Sequence, residues 1–172
     1  MVRSRVRVIS VLRARSGDGI VAARTLVIPV PGTCMKVTFA LLADYATQGL
    51  GSKLTIVGTF DTFFGVPRVR PIRCPRFFLV AGFEGSVIEG SEHPFEVRVV
   101  DEDGHLVVER PIRGVVQLTP RGPGRRLGAH MTIGMDGLVV PDVGEYSFEL
   151  WSGGSEPLAV VSLVVADAPS AG

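Results

Sequence analysis

The segment Asp142-Val-Gly144-Glu-Tyr146-Ser-Phe148 predicts a turn that leads directly into a β-strand near the end of the chain. The glycine allows the backbone to turn sharply. The tyrosine can tie the new strand to the preceding corner through a hydroxyl hydrogen bond, and the residue two positions further on points into the core. We therefore expect Tyr146 to bond to nearby backbone and Phe148 to be buried.

From Met35 onward the chain has the apolar periodicity of strands rather than of helices. Apolar and polar residues alternate cleanly over residues 95–99, and turn signals such as Asp-Gly recur about every ten residues. We expect a short helical turn or loop at residues 44–52. The sequence predicts nine strands, at residues 36–43, 53–62, 76–83, 95–99, 105–109, 113–119, 128–135, 145–151 and 157–165.

Strands with one apolar face require a second layer to cover that face. A second sheet provides this cover with the short connections available in the chain. The sequence therefore predicts an all-β fold, an immunoglobulin-like two-sheet antiparallel sandwich of about nine strands. Phe148 stands where antibody domains carry their second disulfide cysteine, so the resemblance is to the sandwich architecture and not to antibodies.

The composition fits one folded domain. Of the 172 residues, 46% are hydrophobic and 20% are charged, far from the composition of a disordered chain. No apolar run approaches the ~20 residues of a membrane helix, so we expect no membrane association. Residues 35–172 carry twelve basic and sixteen acidic side chains, a net charge of −4, which argues against nucleic-acid binding by this part of the chain.

Residues 1–34 differ from the rest of the chain, because they hold six arginines and a single acidic residue. Transit peptides share this bias, but the one apolar stretch, residues 26–30, is interrupted by Pro29 and followed by Pro31. We expect an N-terminal extension at 1–34, either disordered or translated from a start codon upstream of the true one, then a β-sandwich domain at 35–168 and a flexible tail at 169–172. If the extension supplies a strand, residues 26–30 are its expected place.

Two segments carry a resemblance to known sequences. They are Met35-Lys-Val-Thr-Phe-Ala-Leu-Leu-Ala-Asp44-Tyr45-Ala46 and Gly51-Ser-Lys53-Leu-Thr-Ile-Val-Gly58-Thr-Phe60-Asp61. On these residues the chain resembles a family of uncharacterised bacterial proteins described only as a domain of unknown function. The resemblance covers Met35 to about Ala168, and members of the family begin at the residue matching Met35. It implies no activity, cofactor or catalytic residue.

The sequence offers no catalytic or metal-binding arrangement, so we expect no enzyme activity and no cofactor. Cys34 and Cys74 lie in no CxxC or Cys/His cluster, and we interpret both as reduced thiols of a cytoplasmic protein. His93, His105 and His130 fall beside turns or on a polar strand face, where we expect them to be solvated. The Gly-x-Ser-x-Gly nucleophile motif is absent from the sequence.

The predicted binding residues are Arg68, Arg70, Arg73 and Arg76, together with Trp151. The four arginines lie in a proline-rich, extended segment, and such a segment can contact phosphates or an acidic protein surface. By strand parity Trp151 falls on the face opposite Phe148. It is either an exposed aromatic anchor or a side chain covered by a neighbouring loop.

These features favour a non-enzymatic binding or scaffold module whose partner is another protein with an acidic surface. The alternative is a small-ligand-binding or enzyme-accessory domain with a cleft near Asp44, Tyr45 and Asp61. A third hypothesis is self-assembly through an open sheet edge formed by the long apolar strand at 158–165. The sequence does not indicate an oligomeric state.

Overall fold

The computed structural model describes residues 26–27, 35–49, 53–86, 90–120 and 126–169, and all regular secondary structure in these ranges is β. The all-β prediction is therefore confirmed. Within the described ranges, no helix of the length and apolarity needed to cross a membrane occurs. The strands are β1 Leu26–Val27, β2 Lys36–Gln48, β3 Leu54–Phe60, β4 Thr62–Gly65, β5 Ile72–Arg73, β6 Phe77–Ser86, β7 Glu92–Asp101, β8 Ile112–Gln117, β9 Thr119–Pro120, β10 Arg126–Met135, β11 Val139–Val140, β12 Gly144–Trp151 and β13 Ala159–Asp167.

The strands form two large sheets and one small one. The six-stranded sheet has the order β1-β13-β12-β7-β8, and β4 pairs in parallel with β13. The five-stranded sheet has the order β3-β2-β6-β10-β9, with every neighbouring pair antiparallel. β5 and β11 form a separate two-stranded sheet.

One hydrophobic core receives side chains from both large sheets. Alternate residues of β6, including Leu79 and Phe83, face alternate residues of β12 and β13, including Phe148 and Leu163. The rings of Phe77 and Phe148 meet edge to face with their centroids 5.9 Å apart, so the two sheets are in direct contact. Burying each such large side chain stabilises the fold by roughly 1.5–3 kcal/mol.

The corner before β12 has the geometry that the sequence predicts. The Tyr146 hydroxyl donates a 2.7 Å hydrogen bond to the Asp142 carbonyl oxygen, and Phe148 is fully buried. Burial raises the pKa of Tyr146, so its hydroxyl remains protonated and able to donate at neutral pH. Both parts of this prediction are confirmed.

The predicted helical turn or loop at 44–52 is wrong over its first half, because β2 continues to Gln48. Tyr45 pairs with Val57 on β3, and Ala46 pairs with Ile56. These cross-strand pairs keep the chain extended past Asp44, although aspartate favours turns in isolation.

The count of nine strands is also wrong, because the described residues form more. Two-residue strands such as β5 and β11 are too short to show alternation in the sequence. Conversely, the strand predicted at 105–109 is absent. There the Asp101 carboxylate accepts hydrogen bonds from the backbone N–H groups of Asp103 and His105, and this loop leaves only a bridge between Leu106 and Val100.

The last strand, β13, does not provide the open edge predicted at 158–165. β12 pairs along one side of β13, and β1 and β4 pair along the other. β13 is therefore not the fully open edge strand that the sequence predicts, and self-assembly stays a prediction. Apart from β1, the predicted N-terminal extension lies outside the described residues, as do residues 170–172, so the domain boundaries stay predictions.

Candidate functional site

Arg70 is tied to two carboxylates of its own chain, so it is not the free surface cation that the sequence predicts. Its Nε donates a hydrogen bond to Asp142, and its terminal nitrogens donate to Asp167 at 3.1–3.2 Å. The hydrogen bond between Arg70 and Asp142 lowers the pKa of the carboxyl and raises the pKa of the guanidinium. These contacts join the arginine-rich segment to the tyrosine corner and to the end of β13. We assign Arg70 a structural role.

The other three arginines of this segment are exposed. Arg68 lies in a turn with a φ of 62°, and Arg73 ends the short strand β5. Neither Arg68, Arg73 nor Arg76 forms an ion pair with another residue of the described ranges. Their positive charges therefore remain available at the surface.

Arg76 lies on an aromatic surface. Its guanidinium carbon is 5.3 Å from the ring centroid of Phe78, within the distance of a cation–π interaction. The ring of Phe78 in turn meets Tyr45 at a centroid distance of 5.9 Å and an interplanar angle of 77°. Arginine and tyrosine, which the sequence placed in two separate candidate regions, thus contact one phenylalanine.

The five-stranded sheet positions these side chains side by side. Phe78 on β6 pairs with Ala43 on β2, and Tyr45 lies two residues further along β2 on the same face. On the other side Tyr45 pairs with Val57 of β3, the edge strand. We call Tyr45, Val57, Phe78 and Arg76 the aromatic–arginine patch.

The aromatic–arginine patch exposes apolar surface away from the core. Tyr45 is 51% exposed and Val57 is 56% exposed. Phe78 is absent from the binding residues that the sequence predicts. Strand alternation contained the missing signal, since neighbouring residues point to opposite faces and only Phe77 can face inward.

Trp151 lies on the outer face of the six-stranded sheet, opposite Phe148 as predicted. Its indole N–H donates to Glu149 at 2.9 Å, and the Arg98 guanidinium carbon lies 4.4 Å from the ring centroid. Arg98 also donates to Glu96, whose pKa is lowered by hydrogen bonds from Arg98 and Arg113. Trp151 is half-buried beside the Arg98 side chain of the neighbouring strand β7, so it is not the fully exposed anchor of the first predicted alternative.

The three histidines lie in different surroundings. His105 is exposed beside Asp101, with 3.5 Å between Nδ1 and Oδ2. His93 and His130 are half-buried, which differs from the predicted solvation, and His130 packs against Phe39 at a centroid distance of 5.9 Å. In the described part of the chain, no three His, Cys, Asp or Glu residues are grouped as metal ligands.

Cys74 is a buried free thiol, and burial raises its pKa, so it is neutral at pH 7. This agrees with the predicted reduced state of Cys74. Cys34 lies outside the described residues.

Asp44, Tyr45 and Asp61 do not converge on one cleft. Asp44 borders a small cavity, whereas Tyr45 lies on the opposite face of β2 against Phe78. The Asp61 carboxylate accepts a 3.0 Å hydrogen bond from Thr62, and Asp61 does not line that cavity. The predicted cleft of these three residues is therefore wrong, because only Asp44 of the three lines this cavity.

Residues 38–166 match the model of a family of unknown function (DUF6941). The predicted relationship to a domain of unknown function is confirmed at this level. The match covers most of the body that the resemblance marked out between Met35 and Ala168. A search of curated proteins found no match to the chain.

Proposed function

Because this chain belongs to DUF6941, a family of unknown function, we propose its role from its surface: it is a non-enzymatic binding module that contacts an acidic protein partner through the aromatic–arginine patch. The observation that carries this proposal is the contact of Arg76 and exposed Tyr45 with one ring, Phe78, near β3, the last strand of this sheet in the described residues. Tyrosine and arginine are enriched among the residues that dominate protein–protein binding energy.

The charge distribution supports an acidic partner. Residues 35–172 have a net charge of −4, yet Arg68, Arg73 and Arg76 are exposed without ion pairs in the described ranges. A partner carrying carboxylates would complement this local positive charge. Since each exposed ion pair contributes roughly 0.2–1 kcal/mol, most of the affinity must come from the apolar surface of Tyr45, Val57 and Phe78.

The finer features of the sequence prediction belong to the same proposal. We propose that the two large sheets form an immunoglobulin-like sandwich, for which the Tyr146 corner and the core shared by the sheets give support. We propose a bacterial, cytoplasmic protein on the basis of the family resemblance and of the reduced thiol of Cys74. No catalytic residue is part of the proposal.

The test compares capture by matched surface variants. Tagged wild-type protein, Tyr45→Ser, Val57→Ser and the control Val115→Ser are used to capture proteins from the native host, and the captured proteins are identified by mass spectrometry. Val115 is 61% exposed, like Val57 at 56%, but it lies on β8 of the other large sheet. We expect a partner that wild type and Val115→Ser retain and that both patch variants lose.

The purified partner then tests the role of charge. We expect Tyr45→Ser to weaken binding by at least about tenfold, as for a residue central to an interface. Arg76→Ser should weaken binding at low salt and matter less at high salt, because salt screens exposed charges. If the patch variants capture the same proteins as wild type, the proposed surface is wrong.

A second candidate function is small-ligand binding. It is favoured by the cavity that Asp44 borders, which lies on the core side of β2 and is separate from the aromatic–arginine patch.

A further inference from the structure

The cavity beside Asp44 combines aromatic rings with a single carboxylate. It has a volume of about 140 Å³. Among the described residues that line it, Asp44 is the only charged one, and the walls are otherwise mostly aromatic and apolar. The lining residues are Asp44, Phe60, Thr62, Phe63, Cys74, Pro75, Phe77 and Leu163.

The phenylalanines border the cavity from different directions. Phe60 comes from β3, Phe63 from β4 and Phe77 from β6. The rings of Phe60 and Phe77 have centroids 5.8 Å apart and an interplanar angle of 79°. Aromatic faces carry partial negative charge, and several rings around one space attract an organic cation into it.

The carboxylate of Asp44, an exposed residue, lies next to Gly58 of β3 at the border of this cavity. Gly58 lies across from Asp44 with a φ of 66°, and a Cβ atom at Gly58 would lie 2.1 Å from Asp44 Oδ2. Asp44 forms no hydrogen bond or ion pair with another residue in the described ranges. Its negative charge is therefore not balanced by a nearby side chain there.

The composition of the walls selects among cations. A calcium ion needs six to eight oxygen ligands, and one carboxylate with one threonine hydroxyl cannot supply them. A primary ammonium carries three N–H donors that need acceptors, and among the described side chains that line the cavity only Asp44 and Thr62 carry oxygens, the remaining walls being mostly aromatic or apolar. A methylated ammonium has few or no N–H groups, and its charge is satisfied by a carboxylate and aromatic faces.

We propose that this cavity binds methylated ammonium groups, with the aromatic rings of Phe60, Phe63 and Phe77 around the methyl groups and Asp44 balancing the charge. The proposal rests on the second candidate function, small-ligand binding. A cavity of roughly 150 Å³ is large enough to hold benzene, so a trimethylammonium group is of suitable size for this one.

The test measures binding of choline and of its uncharged carbon analogue, 3,3-dimethyl-1-butanol, to the full chain by isothermal titration calorimetry. We expect choline to bind with a dissociation constant of about 1 mM, and the uncharged analogue to bind at least about tenfold more weakly. Equal binding of both compounds would retain a small-ligand site but overturn the inference of a cation site. Absence of choline binding at concentrations well above that value would overturn the inference as well.

Matched variants locate the site. Asp44→Asn should weaken choline binding by about tenfold, while Asp61→Asn, a carboxylate outside the cavity, should leave it unchanged. Phe63→Leu should weaken binding of choline more than binding of the uncharged analogue. The control variant is Phe64→Leu, because Phe64 is 56% exposed and does not line the cavity. Circular dichroism establishes that each variant is folded. Choline binding that Asp44→Asn and Phe63→Leu leave intact would contradict the assignment.

Discussion

Replacing Tyr146 with phenylalanine removes one hydroxyl group and leaves the ring in place. The ring is 4% exposed, and phenylalanine fills the same space, so no cavity forms. The hydroxyl donates a 2.7 Å hydrogen bond to the Asp142 carbonyl oxygen. The substitution therefore isolates the contribution of this bond between the corner and β12.

The expected loss of unfolding free energy is about 1 kcal/mol, the usual contribution of a neutral hydrogen bond. A carbonyl oxygen that is left buried without a partner would raise the loss to as much as about 3 kcal/mol. Asp142 is an exposed residue, however, and we expect water to reach its carbonyl oxygen and replace the lost donor. This exposure is why we expect the lower value.

Urea unfolding of the full chain, followed by circular dichroism, measures the loss. With a slope of about 1–3 kcal/mol per molar urea, the midpoint should fall by roughly 0.3–1 M without a change of slope. The other tyrosine provides a matched control, because Tyr45 is 51% exposed and its hydroxyl has no hydrogen bond to a described residue. Tyr45→Phe should change stability by less than about 0.5 kcal/mol. Equal effects of the two substitutions would refute the corner bond as a source of stability.

Three further predictions concern the backbone of β3, an ion pair and the buried thiol. Gly58→Ala should lower the free energy of unfolding in urea by about 1–2 kcal/mol, because the φ of Gly58 is 66° and Asp44 occupies the space of the new Cβ. Adding Asp44→Ala to this variant should recover only the steric part of the lost stability. The pKa of Asp142 is lowered mainly by its hydrogen bond from Arg70. The stabilisation that this hydrogen bond provides is therefore present above the unfolded pKa of about 3.9, and it is lost as the pH falls through the lower pKa of the folded state. Arg70→Gln should therefore flatten the acid side of the stability profile below about pH 4, and an unchanged profile would contradict this assignment. Burial raises the pKa of Cys74. In a variant whose other cysteine is replaced by serine, iodoacetamide should therefore react slowly with Cys74 until urea unfolds the chain. Fast labelling of the native protein would contradict the burial of this thiol.

The parts of the fold that sequence could predict are those set by local interactions. The tyrosine corner is one, because Tyr146 and its acceptor Asp142 are four residues apart. Strand alternation likewise predicts the inward residues of β12, since it depends only on the period of the strand. These features require no knowledge of which strands pair.

Features that depend on which strands pair could not be predicted from the sequence. β2 extends past Asp44 because Tyr45 and Ala46 pair with β3, and cross-strand context outweighs the turn preference of one aspartate. Arg70 finds Asp142 and Asp167 across 72 and 97 residues of chain. Nothing in the local pattern around Arg70 distinguishes it from Arg68 or Arg73, so its structural role could not be predicted.

The extension of β2 past Ala43 also explains how one strand contributes to two surfaces. Successive residues of a strand point to opposite faces of its sheet, so Asp44 turns toward the cavity and Tyr45 toward Phe78. A chain that ended its strand at Ala43 would not fix either direction. Since the two side chains share no neighbour in these contacts, substitutions at Asp44 and Tyr45 should act independently, the first on ligand binding and the second on partner binding.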